Sequence, residues 1–527
     1  MTASSKLAGI LLSSAICLTA PPALAQSPGV APPVAGEGGA AATGQAVAET
    51  PAPQAVAPRR LTLPVSLSRE GIETADGRFR LGVRFLTEIR PFAPAFDMAD
   101  AAGALVVSVA EASPAEAAGF LPGDMIVRFG GEAIEQPETL ADLVARTPSA
   151  IALDAEIIRI GAGGQDLVDL LTRRADTGDR DAATAIGELA ANDFAGAPDR
   201  AAGASWYRRA AEAGDGLAAL RLAAIEYGAD PQNLGEASRW YRAAAAAGEA
   251  RALQSLGYLY WNGEYREGDE AVSDDAEAVR LFRSAAEAGI DDAWFYLGAA
   301  YQMGRGVTAD AEEARRWYEK AVAAGSRSAA NNLGQMYYAG GAIARDLAEA
   351  RRLFEVAAAG DGIAAANRQL GYIFRDGEGV EADKPRAAQY FRSAAEAGDA
   401  TAMYVLGIML FRGDGIERDA EAAVDRFNKA AEHGVADADY ALALAYVDGA
   451  GVKANNIQAA EHLVKAIAGG YQTAIDEMRN NSGAWPAPVI AGVQFVLSRE
   501  GFYKGKIDGR VGPQTRAAID AAAAAGD

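Results

Sequence analysis

A small residue returns at nearly constant intervals through the middle of this chain, at Gly187, Ala223, Gly257, Gly298, Gly334, Gly371, Gly407 and Ala443, in steps of 36, 34, 41, 36, 37, 36 and 36 residues. Around each position apolar residues recur at helical spacing and a glycine-rich turn follows, so each copy reads as a pair of helices. A unit of that size cannot bury its apolar face alone, and stacked copies solve the problem by sharing one core. The predicted fold class is mainly α, an α-solenoid of helix-turn-helix repeats. Solenoids chiefly present binding surfaces, which shifts expectation away from catalysis before any motif is considered.

The copy beginning at Ala293 shows the device. Its first helix carries Leu297, Gly298, Ala300 and Tyr301, and Gly304 and Gly306 make the turn. Asp310 then caps a second helix, with Glu313 at capping-box spacing, and Gly325 stops it. Asp346 and Glu349 repeat the arrangement. A glycine or alanine at the recurring position lets helices approach closely. The bulky pairs Trp206-Tyr207, Trp240-Tyr241, Leu281-Phe282, Trp317-Tyr318, Leu353-Phe354 and Tyr390-Phe391 fill the space between layers. The wording resembles the Sel-like repeat family, relatives of the tetratricopeptide solenoids with a longer glycine-rich turn: Gly-Arg-Gly-Val at 304–307, Gly-Glu-Gly-Val at 377–380, Gly-Asp-Gly-Ile at 413–416 and Gly-Ala-Gly-Val at 449–452. The 41-residue step departs from the pattern, because 264–274 lengthens one turn with acidic residues and marks a candidate contact site.

At 527 residues several modules are expected. The formal net charge of -22, spread through the repeats, repels phosphates and argues against a nucleic-acid partner. Lys6, the apolar stretch from Leu7 to Leu18 and Ala23-Leu24-Ala25 read as an export signal cleaved after Ala25, so the expected location is the periplasm or cell envelope. The stretch is too short and too interrupted by Ser13 and Ser14 for a membrane-spanning helix. The single cysteine, Cys17, lies within it, which leaves no thiol for a disulfide or metal site in the mature chain; bulky Ile16 before it argues against lipid attachment. Residues 26–76 read as a disordered linker, rich at first in Ala, Pro, Gly and Val.

Short β-branched or aromatic runs follow at 79–85, 105–109, 125–129 and 151–160, with one helix expected over 137–145. Arg80-Leu81-Gly82-Val83-Arg84-Phe85, Ser113-Pro114-Ala115-Glu116-Ala117-Ala118-Gly119, Pro122-Gly123-Asp124-Met125-Ile126 and Arg159-Ile160-Gly161 resemble a PDZ domain of the kind attached to bacterial envelope proteases, over 77–162. The resemblance implies that a peptide's free C-terminus rests on the backbone of Leu81, Gly82 and Val83. Arg84 and Phe85 would continue the groove edge, and Leu140 or Val144 would face it from the helix. The alternative is a PDZ fold that only packs against the solenoid, its edge covered by a neighbour.

Beyond the repeats, expected over 166–480, Pro486 and Pro488 open a helical stretch with Val489, Val493, Phe495, Val496 and Leu497. Gly501-Phe502-Tyr503, Lys504-Gly505, Ile507-Asp508-Gly509, Val511-Gly512-Pro513, Thr515 and Ala518-Ile519 then resemble the peptidoglycan-binding domain family over 486–527. That resemblance implies Tyr503, Lys504, Asp508 and Arg510 as candidate wall contacts. The segment is shorter than the usual module, and Ala521 to Ala525 replace its usual aromatic-glutamine pair. Asp508, Gly509, Gly512 and Pro513 also have turn and cap roles of their own.

Catalytic constellations are sparse. A serine triad needs a placed histidine, and the chain has only His433 and His462, in separate repeats. His433 precedes the stop glycine Gly434, where a cation suits a helix end. Gly304, Gly306 and Ala309, like Gly377, Gly379 and Ala382, fit a dinucleotide fingerprint by spacing, but they follow helices and recur with the repeat. No carboxylate pair stands out for glycoside chemistry, and no metal or cofactor is expected. The expected function is an exported, non-enzymatic scaffold for protein or peptide partners with peptidoglycan docking. The alternatives are a periplasmic regulator or substrate-delivery factor for a separate envelope protease or sensor kinase, and a cell-wall hydrolase. Partner identity and oligomeric state stay open.

Overall fold

The computed structural model describes residues 58–67 and, with short gaps, 81–525 of the 527. The expected export signal and most of the expected linker lie outside the described residues. Two compact units divide the chain, one over 28–296 with 305–308, the other chiefly 309–527 with 297–304.

The first unit opens with an antiparallel sheet. Its strands are β1 (Pro58–Leu67), β2 (Val83–Phe85), β3 (Ala104–Val109), β4 (Met125–Phe129), β5 (Glu132–Ala133) and β6 (Ile151–Ile160), with the helices α1 (Pro114–Ala118) and α2 (Pro137–Arg146). The strands run in the order β1-β6-β4-β3-β2, and β5 pairs with β4. The runs expected at 125–129 and 151–160 coincide with β4 and β6, and the expected helix is α2. β1 corrects the linker expected over 26–76. It pairs with β6 along its whole length, from Pro58 opposite Ile160 to Leu67 opposite Ile151. The cause is period-two alternation of Leu61, Leu63 and Val65, with Val65 fully buried, a signal masked by Pro58 and Pro64.

Alternation also gives the sheet two cores. Ala104, Val106, Ile126, Ala155 and Ile157 face Leu140, Leu143 and Val144 of α2. Leu105, Val107, Met125, Ile158 and Ile160 face the other way, into a cluster with Leu167, Val168 and Leu171 of α3 (Gly164–Asp176) and with Ile186 and Leu189 of the first repeat. Both faces of this small sheet are covered, and the helical array supplies one of the covers.

The repeats, numbered 1 to 8 from Gly187 to Ala443, each contribute two helices in which the second carries a clear cap. Asp199, Asn233, Asp274, Asp310, Asp346, Asp383, Asp419 and Asn455 accept backbone N–H bonds at the eight second-helix starts. Only half of the expected capping box forms. Asp310 caps, but Glu313 turns instead to Arg316 at 2.5 Å, and Glu349 turns to Arg352 at 2.5 Å, because an arginine three residues on offers the opposite charge.

The recurring glycine is explained by what a side chain there would strike. A Cβ on Gly187 would lie 2.5 Å from the Tyr207 ring, on Gly298 2.6 Å from Tyr318, and on Gly371, Gly407 and Gly257 2.7 Å from Phe391, Phe427 and Phe282. In five of the six bulky pairs the second residue therefore lies across the glycine of its own repeat; the sixth, Trp240-Tyr241, belongs to repeat 2, where Ala223 takes that place. The turn's second glycine does a different job. A Cβ on Gly306, Gly415 or Gly451 would come within 2.2, 2.3 or 2.1 Å of the backbone of Asp275, Lys384 or Ala420, each the first residue of the preceding repeat's second helix. Gly-x-Gly here is an inter-repeat contact, which accounts for its chance likeness to a nucleotide-binding turn.

Candidate functional site

β2 ends the sheet. It pairs with β3 through Val83 opposite Val109, Arg84 opposite Ser108 and, after a register shift, Phe85 opposite Val106. No strand pairs with its outer side among the described residues. The opposite edge, β1, is interrupted by Pro64, which has no N–H to donate, whereas β2 contains no proline. The two edges of one sheet thus differ in their capacity to accept an added strand.

The expected groove residues fall around β2 unequally. Leu81 is 4% exposed, and its carbonyl accepts the Ala115 N–H at 3.0 Å, tying the loop before β2 to the start of α1. Gly82 lies outside the described residues, Val83 and Arg84 form β2, and Phe85 is half-buried against the core. Leu140 and Val144, expected to face the groove, are 1% and 7% exposed and belong to the core, so they offer a ligand little open surface in the unliganded fold. Asp124 braces the same region: fully buried, it accepts from Arg159 Nε and Nη2 at 2.6 Å and from the Leu121 N–H at 2.8 Å. The hydrogen bond to Asp124 raises the pKa of Arg159 further.

The C-terminal candidates divide between frame and surface. Gln494, fully buried on the helix Ala487–Arg499, accepts the N–H groups of Asp508 and Gly509 at 2.9 Å and donates to the Arg510 carbonyl at 2.9 Å. Asp508 Oδ1 accepts from Gln494 and from the Arg510 N–H, and these bonds hold its pKa below the ordinary carboxylate value. Tyr503 is 5% exposed and donates to the Lys506 carbonyl at 2.7 Å. Tyr503 is thus buried in the turn it holds, whereas Asp508 holds the turn while remaining exposed, as Lys504 and Arg510 do. The segment also packs on the repeats. Gly492 abuts Ala460 of repeat 8, and Trp485 donates to Glu477, which also accepts the Tyr440 hydroxyl.

Neither histidine meets a nucleophile arrangement. His433 is the C-cap residue of the helix Ala420–Glu432. His462 Nδ1 lies 2.8 Å from Asp439 while its ring stacks on Tyr446. The lengthened turn forms a small hairpin, β7 (Arg266–Glu267) and β8 (Glu270–Ala271), anchored by Tyr265 stacked on Tyr260 at 4.0 Å and by Glu264 accepting the Tyr227 hydroxyl.

Sel1 repeats match residues 182–215, 216–249, 250–290, 292–326, 327–361, 364–399, 400–435 and 436–471, more than half of the chain. The chain belongs to the Sel1 repeat family. A PDZ domain matches residues 105–156. A probable periplasmic serine endoprotease DegP-like from Hahella chejuensis is 34% identical over 113 residues, 21% of this chain and 21% of that protein. The chain therefore spans about a fifth of that relative's length, and the similarity is confined to the PDZ domain. Among solved structures, a protective antigen of uropathogenic Escherichia coli displaying an SLR fold is 24% identical, covering 68% of this chain and 83% of that one with a TM-score of 0.43. A Sel1 repeat protein from Oxalobacter formigenes is 30% identical over 45% of this chain and 95% of that one, with a TM-score of 0.41.

Two structural elements of this Sel1 repeat protein escape motif reading. β1 escapes because prolines flank and interrupt its alternation. The packing between β2 and β3 escapes because Ile89, Phe92 and Phe96 have no period of their own, although three large apolar residues within eight positions are a usable sign of burial.

Proposed function

We infer that this chain is a protein-interaction scaffold, a reading supported by its Sel1 repeats and its PDZ domain. We propose that it is an exported, non-enzymatic adaptor of the periplasm that captures peptide C-termini by strand addition at β2, holds a second protein surface on its repeats, and docks to peptidoglycan through its C-terminal segment. The observation that carries the reading is a proline-free edge strand on a PDZ fold, directly after the loop at Leu81, with no strand paired to its outer side among the described residues. Half-buried, apolar Phe85 at the end of the strand favours a peptide with an apolar residue. Exposed Lys504 and Arg510 are the groups left to meet acidic wall peptides. The PDZ likeness to a periplasmic endoprotease favours a second reading, in which the chain regulates or delivers substrates to a separate envelope protease.

Fluorescence anisotropy on the full chain tests peptide capture, using a labelled ten-residue peptide ending in Val-Val and its C-terminal amide. The free carboxylate is expected to bind at least tenfold more tightly. Equal affinity for the amide removes the carboxylate mechanism. Co-sedimentation with purified peptidoglycan tests docking, with loss expected for the Lys504→Glu, Arg510→Glu double variant.

A further inference from the structure

The chain between β2 and β3 does not loop into solvent. Leu86, Ile89, Phe92, Ala95 and Phe96 are each at most 4% exposed. All belong to the single apolar cluster that also takes in Leu105, Val107 and Ile160 of the sheet, Leu167 and Leu171 of α3, and Ile186 and Leu189 of repeat 1. Polar contacts pin the same stretch to the helices: Arg174 Nη1 donates to the Pro94 carbonyl at 2.8 Å, and Arg90 reaches Glu249 at 3.3 Å. Glu249 immediately precedes the first helix of repeat 3, Ala250–Asn262. The strand that would receive a peptide is thus only three residues long, is joined to β3 through a register shift, and runs directly into a segment buried against the repeats.

We propose that this β2–β3 segment couples peptide capture to the solenoid, so that the sheet, α3 and the first repeats open as one cooperative body and a peptide bound at β2 is felt in the helices. The inference rests on β2 as the peptide edge. A sheet face whose five large side chains share a core with α3 and repeat 1 cannot separate from them without exposing both surfaces. Opening of the helices therefore requires opening of the sheet. A ligand that binds only the closed form then lowers the open population by the factor 1 + [L]/Kd throughout the cooperative body. In a repeat array each unit feels mainly its neighbours, so the effect is expected to fade from repeat 1 toward repeat 3.

Native-state hydrogen exchange on the full chain reads this directly. With the Val-Val peptide at about one hundred times its Kd, the slowest amides of β3 and β4 are expected to slow about 100-fold. Those of α3 and of the helix Arg180–Ala191 should slow by a similar factor. Slowing confined to β2 and β3 overturns the coupling. Slowing nowhere overturns the peptide reading instead, and a second arm without peptide then decides the coupling. Ile160→Val removes one methyl from the shared core and is expected to speed exchange roughly two- to tenfold, equally in β3, β4, α3 and Arg180–Ala191. Faster exchange in the strands alone refutes a common body.

Discussion

At the scale of single residues, the repeats are governed by what fits across one glycine. Gly371→Ala places a methyl 2.7 Å from the Phe391 ring, an overpacking cost of about 1–3 kcal/mol. Better helix propensity returns about 1 kcal/mol. A net loss of up to about 2 kcal/mol is expected in denaturant unfolding, and Phe391→Leu in the same chain should recover part of it, because the two sites touch. Glu188 poses the opposite problem, a charge in the core. Its side chain is 4% exposed and satisfied by Arg221 at 2.6 Å and the Tyr207 hydroxyl at 3.0 Å. Glu188→Ala leaves Arg221 without that partner, and a loss of about 2–3 kcal/mol is expected, below the ~3–5 for a fully buried pair because Arg221 stays a third exposed. Asp437 titrates unfavourably: burial raises its carboxyl pKa, so the folded chain holds that proton more tightly than the unfolded one. Its contribution is present in acid and lost as pH rises through the raised folded value. Asp437→Asn should therefore flatten the fall in stability across that interval, and an unchanged slope in pH-dependent melting would count against the assignment.

At the scale of elements, two turns decide how repeats stack. Gly415 has φ +71° and sits against the backbone of Lys384, so Gly415→Ala meets both left-handed strain and a backbone clash. A cost of about 2–4 kcal/mol is expected, exceeding that at Gly371, where only a ring must move. The hairpin at β7 and β8 is the other special turn. Tyr265, 4% exposed and stacked on Tyr260, makes its base part of the core, while Glu267 and Glu270 stay outside. Tyr265→Ala should destabilise by about 3 kcal/mol or more, as loss of a buried aromatic does. Charge reversal at Glu267 should leave the melting temperature nearly unchanged.

At the scale of the whole chain, an exposed end is the standing liability of any repeat array. The sheet supplies a cover beside repeat 1 in one unit, and the C-terminal segment covers repeat 8 in the other, through Gly492 on Ala460 and Arg516 donating to the Arg479 carbonyl. Both appended parts thus serve the array as end covers. The charge of -22 opposes compaction by self-repulsion. Raising salt from 10 to 150 mM shortens the screening length from about 30 to 8 Å, and the thermal midpoint is expected to rise over that interval.

The repeat number, the helix pairing, the caps at Asp310 and Asp346 and the strands β3, β4 and β6 were legible from amino-acid order because each rests on local chemistry: a period, an Asp before a helix, a β-branched run. The PDZ likeness was legible for the same reason, at Leu81 to Phe85 and Pro122 to Ile126. Whether those residues stand open was not. Leu140, a groove wall by resemblance to PDZ domains, is 1% exposed in the core, and Tyr503, a candidate wall contact, is 5% exposed and bonded to Gln494. β1 and the stretch through Phe92 acquire their roles only from partners far along the chain, β6 and the first repeat. Local periodicity states which face of an element is apolar, but the identity of the surface that covers that face is a long-range property, and only the tertiary structure decides it.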